Sequence, residues 1–405
     1  MLLALDSGNT AWVLISAALV LFMTPGLAFF YGGMVRSKNV LGMLMQNMFA
    51  IGLVSTIWAV VGFSLVFGDS GNGWIGNFDF LFLTDVTNLD GDIPGMAFVA
   101  FQMMFAVITP ALITGATADR LKFGSYAVLI GFWSLLVYIP GAKWVFNGWL
   151  LEMGALDFAG GTAIHISAGV AALAVVLVIG NRKGHGDVPM PPHNLPFTVL
   201  GTGILWFGWF GFNVGAEFLN GMQNVGLITV NTLGATAAAI LGWLVIEKVK
   251  EGKATSIGAA SGAVSGLVAI TPACANVTPV FALLLGVLAG VLSALAVDLK
   301  YKFGYDDSLD VVGIHLVSGL VGTLYLGFFA IDTGLFTGGD IGQLVVQAIA
   351  AFGVLAYSFV LALVIGFAIE KTVGFRVKSE DEIAGVDSVV HGEAAYSFGQ
   401  DAEVK

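Results

Sequence analysis

Two short segments of the chain share one pattern and decide how the rest is interpreted. They read LDFAGGTAIHISA at residues 156–168 and DDSLDVVGIHLVSG at residues 306–319. In each, an aspartate precedes a histidine by eight residues, with glycine between them, and the histidine leads into a strongly apolar run. Ionisable side chains within such runs are costly in a bilayer and usually serve a transport pathway or a proton relay.

The composition is that of a polytopic membrane protein. Of 405 residues, 57% are hydrophobic and only 11% are charged, whereas soluble proteins carry about 25% charged residues. Fifty-five glycines, some of them four apart as in Gly258, Gly262 and Gly266, favour helices packed closely through small residues. The single cysteine, Cys274, excludes a disulfide framework within one chain and a cysteine-based metal cluster. The first ten residues lack a basic start followed by an apolar core, so no cleavable signal peptide is expected.

Apolar runs long enough to span a bilayer, about 20 residues each, number eleven. We therefore expect an all-α protein of eleven transmembrane helices, which puts the two termini on opposite sides. The runs lie at 10–32, 41–67, 96–118, 123–142, 160–180, 196–216, 226–248, 256–273, 278–297, 311–331 and 344–372.

The basic residues predict the orientation, because cytoplasmic loops are enriched in Lys and Arg. They fall in alternate loops, and only Lys143 lies on the opposite side. The N-terminus is therefore expected outside and the C-terminus inside, with a transmembrane domain at 1–372 and a cytoplasmic tail at 373–405. The net charge of −11 comes mainly from exposed ends and gives no indication of a nucleic-acid partner.

Internal symmetry accounts for the duplicated pattern. If spans one to five and six to ten are copies, the odd number of spans gives them opposite topology, with the long span eleven added at the end. Inverted repeats of this kind place a transport site at their interface near the membrane midplane. For His165 and His315 to meet there, each segment must enter the membrane irregularly before it becomes helical.

Each candidate residue also has an ordinary structural interpretation. His165 and His315 could form a hydrogen bond that only joins helices, although a functional role is favoured. Asp157 could cap a helix N-terminus, contact a cation, or do both. Glu217 is expected to be solvated at the outer end of span six.

The remaining polar and aromatic residues favour no enzyme. His185 and His193 flank a Pro-rich segment and are expected in a surface loop rather than at a metal. Zinc-protease, Walker A and Gly-x-Ser-x-Gly motifs are absent from the sequence, and no cofactor is implied. Aromatic residues near the outer ends indicate an interfacial belt, or rings that hold a cation on their faces; they are Phe105, Trp144, Trp206, Trp209 and Phe212.

Several longer segments together resemble the ammonium transporter (Amt/Mep/Rh) family, in its bacterial or archaeal Amt form, over nearly the whole chain. They are FYGGMVR at 30–36, QMMFAVITPALITGATADR at 102–120, DFAGGTAIHISAG at 157–169, LWFGWFGFN at 205–213, SGLVAITPACANVTP at 265–279 and DDSLDVVGIH at 306–315. The tail segment GVDSVVHGEAAYSF at 385–398 is similar to the family's cytoplasmic tail.

The resemblance implies a homotrimer in the cell membrane with one pore in each subunit. It implies that Phe105 and Phe212 form a stacked outer gate, that His165 and His315 are the paired pore histidines, and that Asp157 lies below the outer vestibule. Further residues would line the apolar pore: Leu27, Leu205, Trp209 and Val311. The tail would control activity and, with inner loops, receive a PII signal protein.

Two positions depart from the family pattern at the outer cation site. Next to Trp144, where the family usually has a vestibule Trp, this chain has Phe146, and where a Ser usually follows Phe-Asn-x-Gly it has Ala216. Phe holds a cation more weakly than Trp, and Ala offers no acceptor. We therefore expect weaker binding of external ammonium, with Lys143 adding a positive charge nearby. A third departure, Leu316 beside the second histidine, is expected to narrow the inner pore.

The resemblance implies ammonium transport in which the cation loses its proton at the gate and ammonia crosses the pore. Imidazoles give and accept protons, and net movement of one charge is the favoured outcome. Two alternatives stay open, namely an ammonium sensor that transports poorly and a neutral gas channel for ammonia or carbon dioxide.

Overall fold

The fold is helical throughout the part of the chain that the computed structural model describes, residues 5–86 and 92–396. Within these ranges one antiparallel bridge, between Leu121 and Arg376, stands outside the helices and turns. Ten described helices are long and apolar enough to cross a membrane, and one shorter apolar helix joins them. The predicted all-α, polytopic fold is confirmed.

The eleven helices follow one another along the chain in the order of the predicted apolar runs. They are α1 (Ser7–Met34), α2 (Val40–Phe67), α3 (Gly95–Gly115), α4 (Phe123–Glu152), α5 (Gly161–Ile179), α6 (Leu195–Phe218), α7 (Val225–Glu251), α8 (Ser256–Ile270), α9 (Pro279–Phe303), α10 (Val312–Phe329) and α11 (Ile341–Thr372).

Helix ends depart from the apolar runs by up to ten residues. The fourth run was expected to end at 142, but α4 continues to Glu152, because Lys143 is buried and Trp144 and Trp149 pack inside the protein. The eighth run was expected to reach 273, but α8 ends at Ile270, just before Pro272. Hydropathy locates the apolar stretch, whereas local hydrogen bonding determines where a helix ends.

Glycines let helices α7, α8 and α9 approach one another closely. A Cβ on Gly262 of α8 would lie 2.8 Å from Cβ of Trp243 on α7, and one on Gly266 would lie 2.6 Å from Cβ of Ala239. A Cβ on Gly290 of α9 would overlap the carbonyl oxygen of Ala239. These contacts confirm the predicted packing through small residues.

Helices α5 and α10 run in opposite directions through the centre. The carbonyl of Gly180, directly after α5, accepts a hydrogen bond from Nε of Arg120 at 2.9 Å. Nη1 of the same arginine donates to Oγ of Ser308, four residues before α10 begins, at 2.7 Å. The C-terminal end of α5 therefore lies beside the N-terminal end of α10, as expected for inverted copies.

Both central helices start irregularly. Gly160 has a left-handed backbone (φ +107°), and a π-helical segment, Gly161–Ile166, follows it. Helix α10 likewise opens with a π-helical segment, Val312–Leu316, after Asp310 in a left-handed conformation (φ +64°). Each histidine therefore lies in the first turns of its helix, well inside the bundle.

The described part of the tail packs on the end of the bundle that carries Arg36, Arg120 and Arg182, which we name the basic end. Asp387 accepts the backbone N–H groups of Leu41 (3.0 Å) and Gly42 (2.8 Å) at the start of α2. The last part of the predicted tail, 397–405, lies outside the described residues. The division of the chain at residue 373 stays a prediction.

Candidate functional site

Two buried histidines meet at the centre of the bundle. Nδ1 of His165 lies 3.3 Å from Nδ1 of His315. Their ring centroids are 5.3 Å apart and their planes differ by only 17°. The side chains come from α5 and α10, the two helices that enter from opposite ends.

The geometry of the pair restricts its protonation. Two Nδ1 atoms in hydrogen-bond contact require one donor and one acceptor, so the pair shares a single hydrogen between the rings. Nε2 of His165 is buried and has no hydrogen-bond partner among the described residues. That nitrogen is available to a small polar molecule in the adjoining cavity.

An apolar cavity of about 10 Å³ adjoins the histidines, with room for about one water-sized molecule. Apart from the two histidines, every residue that lines it is hydrophobic. The lining consists of Met23, Leu27, Ile108, Leu112, Ile164, His165, Leu205, Trp209, Phe212, Val264 and His315. The structure thus brings together six residues that the sequence placed in the pathway, and it adds Met23, Ile108, Leu112, Ile164 and Val264.

Aromatic rings hold His165 from one side. Its ring stacks on that of Trp209, with centroids 5.5 Å apart and planes 17° from parallel. The indole Nε1 of Trp209 donates to Oγ1 of Thr271 at 2.8 Å, which fixes the orientation of the indole. Phe212 continues the stack, with its centroid 5.9 Å from that of His165.

Phe105 and Phe212 are in contact next to the cavity. Their centroids lie 4.5 Å apart, but their planes differ by 54°. The rings are therefore tilted rather than stacked, as α3 and α6 present them at different angles. Phe101 packs on Phe105 at 4.8 Å. Phe101 was not singled out from the sequence, although its spacing of four residues from Phe105 put it on the same helical face.

Val311 lies toward the basic end and does not line the small cavity. A Cβ on Gly115 would approach Cγ2 of Val311 to 2.7 Å and Cζ of Tyr31 to 2.6 Å. Val311 and Tyr31 therefore pack against the same glycine, and Tyr31 donates its hydroxyl hydrogen to the carbonyl of Leu112 at 3.1 Å.

The aspartates of the two repeated segments bind the starts of α5 and α10. Oδ1 of Asp157 accepts the N–H groups of Gly160 and Gly161, and Oδ2 accepts those of Thr162 and Ala163, at 2.6–3.3 Å. Capping by Asp157 is thus present, and a contact between Asp157 and a cation stays a prediction. Asp307 occupies the matching place before α10.

The predicted vestibule residues lie in different surroundings. Trp144 belongs to an aromatic cluster with Trp74, Trp149 and Tyr357, and its indole N–H donates to the carbonyl of Trp74 at 2.9 Å. Phe146 and Ala216 are half-buried and pack against the main core.

Lys143 is buried, only 3% exposed, although the sequence suggested a charge near the vestibule. Its Nζ donates to the carbonyl of Gly68 at 3.0 Å, at the end of α2.

Glu217 is fully buried, so the prediction that it is solvated was wrong. After Asn213 the chain tightens into a 3₁₀ segment, Val214–Asn220, which turns the glutamate inward. Its Oε1 accepts the backbone N–H of Asn224 at 2.8 Å, at the start of α7.

His185 and His193 are only partly exposed, because both make contacts at the basic end. Nδ1 of His185 lies 3.2 Å from Oδ1 of Asp306. Nε2 of His193 lies 2.8 Å from the hydroxyl of Tyr396 in the tail. The Pro-rich loop is therefore bound to the bundle and the tail.

A buried ion network surrounds Asp306 at the basic end. Arg182 binds both of its carboxylate oxygens at 2.8 Å, and Arg120 lies at 4.0 Å. Burial alone would raise the pKa of Asp306, but the hydrogen bonds from Arg182 and the charge of Arg120 hold it well below its usual value. Burial lowers the pKa of Arg120 to about 10, although Asp306 opposes that shift.

A larger cavity of about 450 Å³ opens at the basic end. Its wall includes cationic, acidic and apolar groups from the Pro-rich loop and the segment before α10. The lining residues are Met34, Arg182, His185, Gly186, Asp187, Val188, Pro189, Met190, Pro192, Ile257, Lys300, Tyr301, Ser308, Leu309 and Asp310.

Comparison with known proteins gives the same family throughout. Residues 11–396 match the model of the Ammonium Transporter Family. The chain is 50% identical to an ammonium transporter of Mycobacterium bovis, over 97% of this chain and 91% of that protein. It is 42% identical to an ammonium transporter of Bacillus subtilis, over 97% of this chain and 99% of that protein.

Solved structures agree with the sequence comparisons. The crystal structure of Mep2 from Candida albicans is 32% identical and superposes with a TM-score of 0.87, over 93% of this chain and 87% of that one. The structure of a sensor Amt protein is 30% identical and superposes with a TM-score of 0.89, over 94% of this chain and 97% of that one. This chain is therefore a multi-pass protein of the cell membrane and belongs to the ammonium transporter family.

Proposed function

We propose that this protein transports ammonium across the cell membrane and passes the nitrogen through the central cavity as neutral ammonia. The observation that carries the proposal is the contact between His165 and His315 beside an otherwise apolar cavity. An unpaired cation is strongly disfavoured in such surroundings, whereas a neutral molecule of the size of water is much less so.

The cation must then lose its proton before it enters the cavity. We place this step at the gate formed by Phe105 and Phe212, with Asp157 stabilising the cation as it arrives. Leu27, Leu205 and Trp209 line the apolar path beside the histidines, and Val311 lines it toward the basic end. The closeness of the two gate rings supports this order of events, and so does the cavity lining, which is hydrophobic apart from the two histidines.

The released proton travels through the two imidazoles. Because the rings share one hydrogen, a proton accepted at the outer imidazole releases one from the other. One positive charge then crosses with each ammonia. The free Nε2 of His165 supports this role, since a relay needs an open nitrogen on the side from which the proton comes.

At the outer surface, we propose that Trp144, Phe146 and Ala216 form a vestibule that binds ammonium weakly. A phenylalanine ring attracts a cation less than an indole, and the methyl group of alanine supplies no lone pair. Both side chains are half-buried.

For the assembled protein, we propose a homotrimer with the N-terminus outside and the basic end facing the cytoplasm. The positive-inside tendency supports this orientation. The resemblance to the family supports the trimer and a PII protein as partner of the tail. Hydrogen bonds from α2 to Asp387 support control by the tail, because they join it to the bundle.

The test is a current recording on purified protein in liposomes adsorbed to a solid support. We expect ammonium pulses to evoke a transient current that saturates with concentration. Ammonia entry without current, detected by a dye in the lumen, would instead identify a neutral gas channel.

A sensing role is a second candidate, because the chain superposes on a sensor Amt protein over 94% of its length. The departures at Phe146 and Ala216 favour it further, since a weak outer site limits uptake. A protein that binds ammonium but gives neither current nor ammonia entry would support sensing and exclude transport.

A further inference from the structure

The aspartates that precede α5 and α10 differ in how fully they are hydrogen-bonded. Asp157 has four backbone N–H donors, two on each oxygen. Asp307, at the matching position, accepts one N–H on Oδ2, from Val312 at 2.7 Å. Its Oδ1 is buried and has no hydrogen-bond partner within the described ranges.

The surroundings of Asp307 favour proton uptake at this free oxygen. The residue is only 1% exposed, and a buried carboxylate is disfavoured in its charged form. Burial and the charge of Asp310 raise the pKa of Asp307 to about 6, although Lys300 and the backbone N–H groups of Val312 and Val311 oppose that shift. Burial also raises the pKa of Asp157, but there four backbone N–H donors stabilise the carboxylate and oppose the shift.

The charged and titratable groups around Asp307 come from three segments. Lys300 on α9 donates to its main-chain carbonyl at 3.1 Å and to Oδ1 of Asp310 at 2.6 Å. Tyr305 precedes it, and Tyr31 lies on α1. Lys300 is already paired with Asp310, so it does not neutralise the free Oδ1 of Asp307.

The position of Asp307 connects the histidine pair to the basic end. Its Oδ2 holds the N–H of Val312, the first residue of α10 and three before His315. The next three residues, 308–310, line the 450 Å³ cavity. Asp307 therefore lies at the start of the helix that carries His315 and directly precedes three residues that line the cavity into which ammonia would emerge.

We propose that Asp307 is the proton-transfer group at the inner end of the pathway. It receives the proton from the imidazole relay on Oδ1 and gives it to ammonia that reaches the basic-end cavity. The O–H bond of the carboxylic acid breaks, a fourth N–H bond forms on ammonia, and ammonium and a carboxylate result. The carboxylate regains its proton from His315, so the cycle balances with one ammonium moved.

The inference rests on the proposed transport function, and the experiment separates the two. Wild-type protein and Asp307→Asn are reconstituted in liposomes, and ammonium-evoked current and ammonia entry are measured side by side. Asn keeps an oxygen for the N–H of Val312 but cannot titrate. We expect the current to fall about tenfold or more, with ammonia entry within twofold of wild type. Asp298→Asn, which changes a carboxylate that is 49% exposed and lies outside that cavity, should leave both unchanged.

Retained current in Asp307→Asn would overturn the inference while leaving transport intact. Equal loss of current and of ammonia entry would also overturn it, because that is the result of a purely structural cap. If the wild-type protein gives no current, the transport proposal and this inference fall together.

A second variant covers the case in which Asp307→Asn does not fold. Asp310→Asn removes the neighbouring carboxylate that raises the pKa of Asp307. The dependence of current on lumen pH should then shift to lower pH by about one unit. An unshifted pH profile would overturn the inference.

Discussion

The function of the central site depends on a few polar atoms placed among apolar side chains. The sequence was sufficient to single out His165 and His315, because both are ionisable and both follow an aspartate by eight residues. It could not show that Nδ1 would face Nδ1 at 3.3 Å, since that depends on the crossing of α5 and α10. It also gave no indication that Glu217 is buried.

The outer site provides a prediction at the level of two side chains. The double substitution Phe146→Trp with Ala216→Ser should lower the half-saturating ammonium concentration about threefold to fivefold. An indole face and a hydroxyl together add about 1 kcal/mol of cation binding. Current against ammonium concentration measures the change. Phe78→Trp, on an exposed ring (66%), serves as the control, and an unaltered half-saturation in the double variant would refute a cation site at these residues.

The buried ion network around Asp306 provides a second prediction. Asp306→Asn should lower the free energy of unfolding by about 3 kcal/mol, because it removes the buried carboxylate that Arg182 binds at 2.8 Å and that lies 4.0 Å from Arg120, leaving Arg182 only Asp119 at 3.6 Å. Thermal unfolding in detergent tests it. Asp298→Asn breaks a pair in which the aspartate side chain is 49% exposed and should cost less than about 1 kcal/mol. Similar losses of unfolding free energy in both variants would contradict the conclusion that the buried network around Asp306 is the more stabilising of the two.

The same network predicts how the stability of the protein depends on pH. The pKa of Asp306 is depressed in the folded protein, so its contribution to stability is complete above the usual carboxyl pKa of about 3.9. It is lost as the pH falls below that value. The stability gap between wild type and Asp306→Asn should therefore narrow in acid; a gap that widens there would contradict the depressed pKa.

At the scale of helices, glycine spacing was more informative than hydropathy. The four-residue spacing of Gly258, Gly262 and Gly266 predicted a close helix contact, which the approach of α8 to α7 confirms. Helix ends were less predictable. Helix α4 continues beyond the end of its apolar run, through buried polar and aromatic residues that lower the local hydropathy. The irregular starts of α5 and α10 were expected from glycine and from the need for two histidines to meet.

Close packing of α9 on α7 gives a prediction at this scale. Gly290→Ala places a methyl group against the backbone of Ala239 and Trp243, which cannot move without separating the helices. We expect a loss of about 1–3 kcal/mol in unfolding free energy. In Gly353→Ala of α11 the new Cβ meets nothing within 4 Å, and the change should be neutral or stabilising. Equal behaviour of both variants in thermal unfolding would refute the packing argument.

Over the whole molecule, the sequence predicted the fold class and the opposed directions of α5 and α10. It did not predict how the tail docks, because the docking contacts are hydrogen bonds between residues far apart in the chain. Asp387 accepts N–H groups of α2 from 346 and 345 positions away, and Glu382 accepts the N–H of Lys183 from 199 positions away. No pattern in a single sequence marks such pairs.

Docking of the tail leads to a prediction about mobility. Asp387→Ala removes the carboxylate that accepts the N–H groups of Leu41 and Gly42, so residues 385–396 should exchange amide hydrogens faster. Glu380→Ala, an exposed carboxylate in the same segment, should leave exchange unchanged. Slow exchange in Asp387→Ala would mean that other contacts suffice to hold the tail.

The central claim is that two imidazoles carry the proton separately from ammonia. The most direct test is His165→Ala in liposomes, with ammonium-evoked current and ammonia entry recorded on the same preparation and Cys274→Ala as a buried control outside the cavity. We expect His165→Ala to abolish the current and to retain ammonia entry. A current of wild-type size in His165→Ala would contradict it.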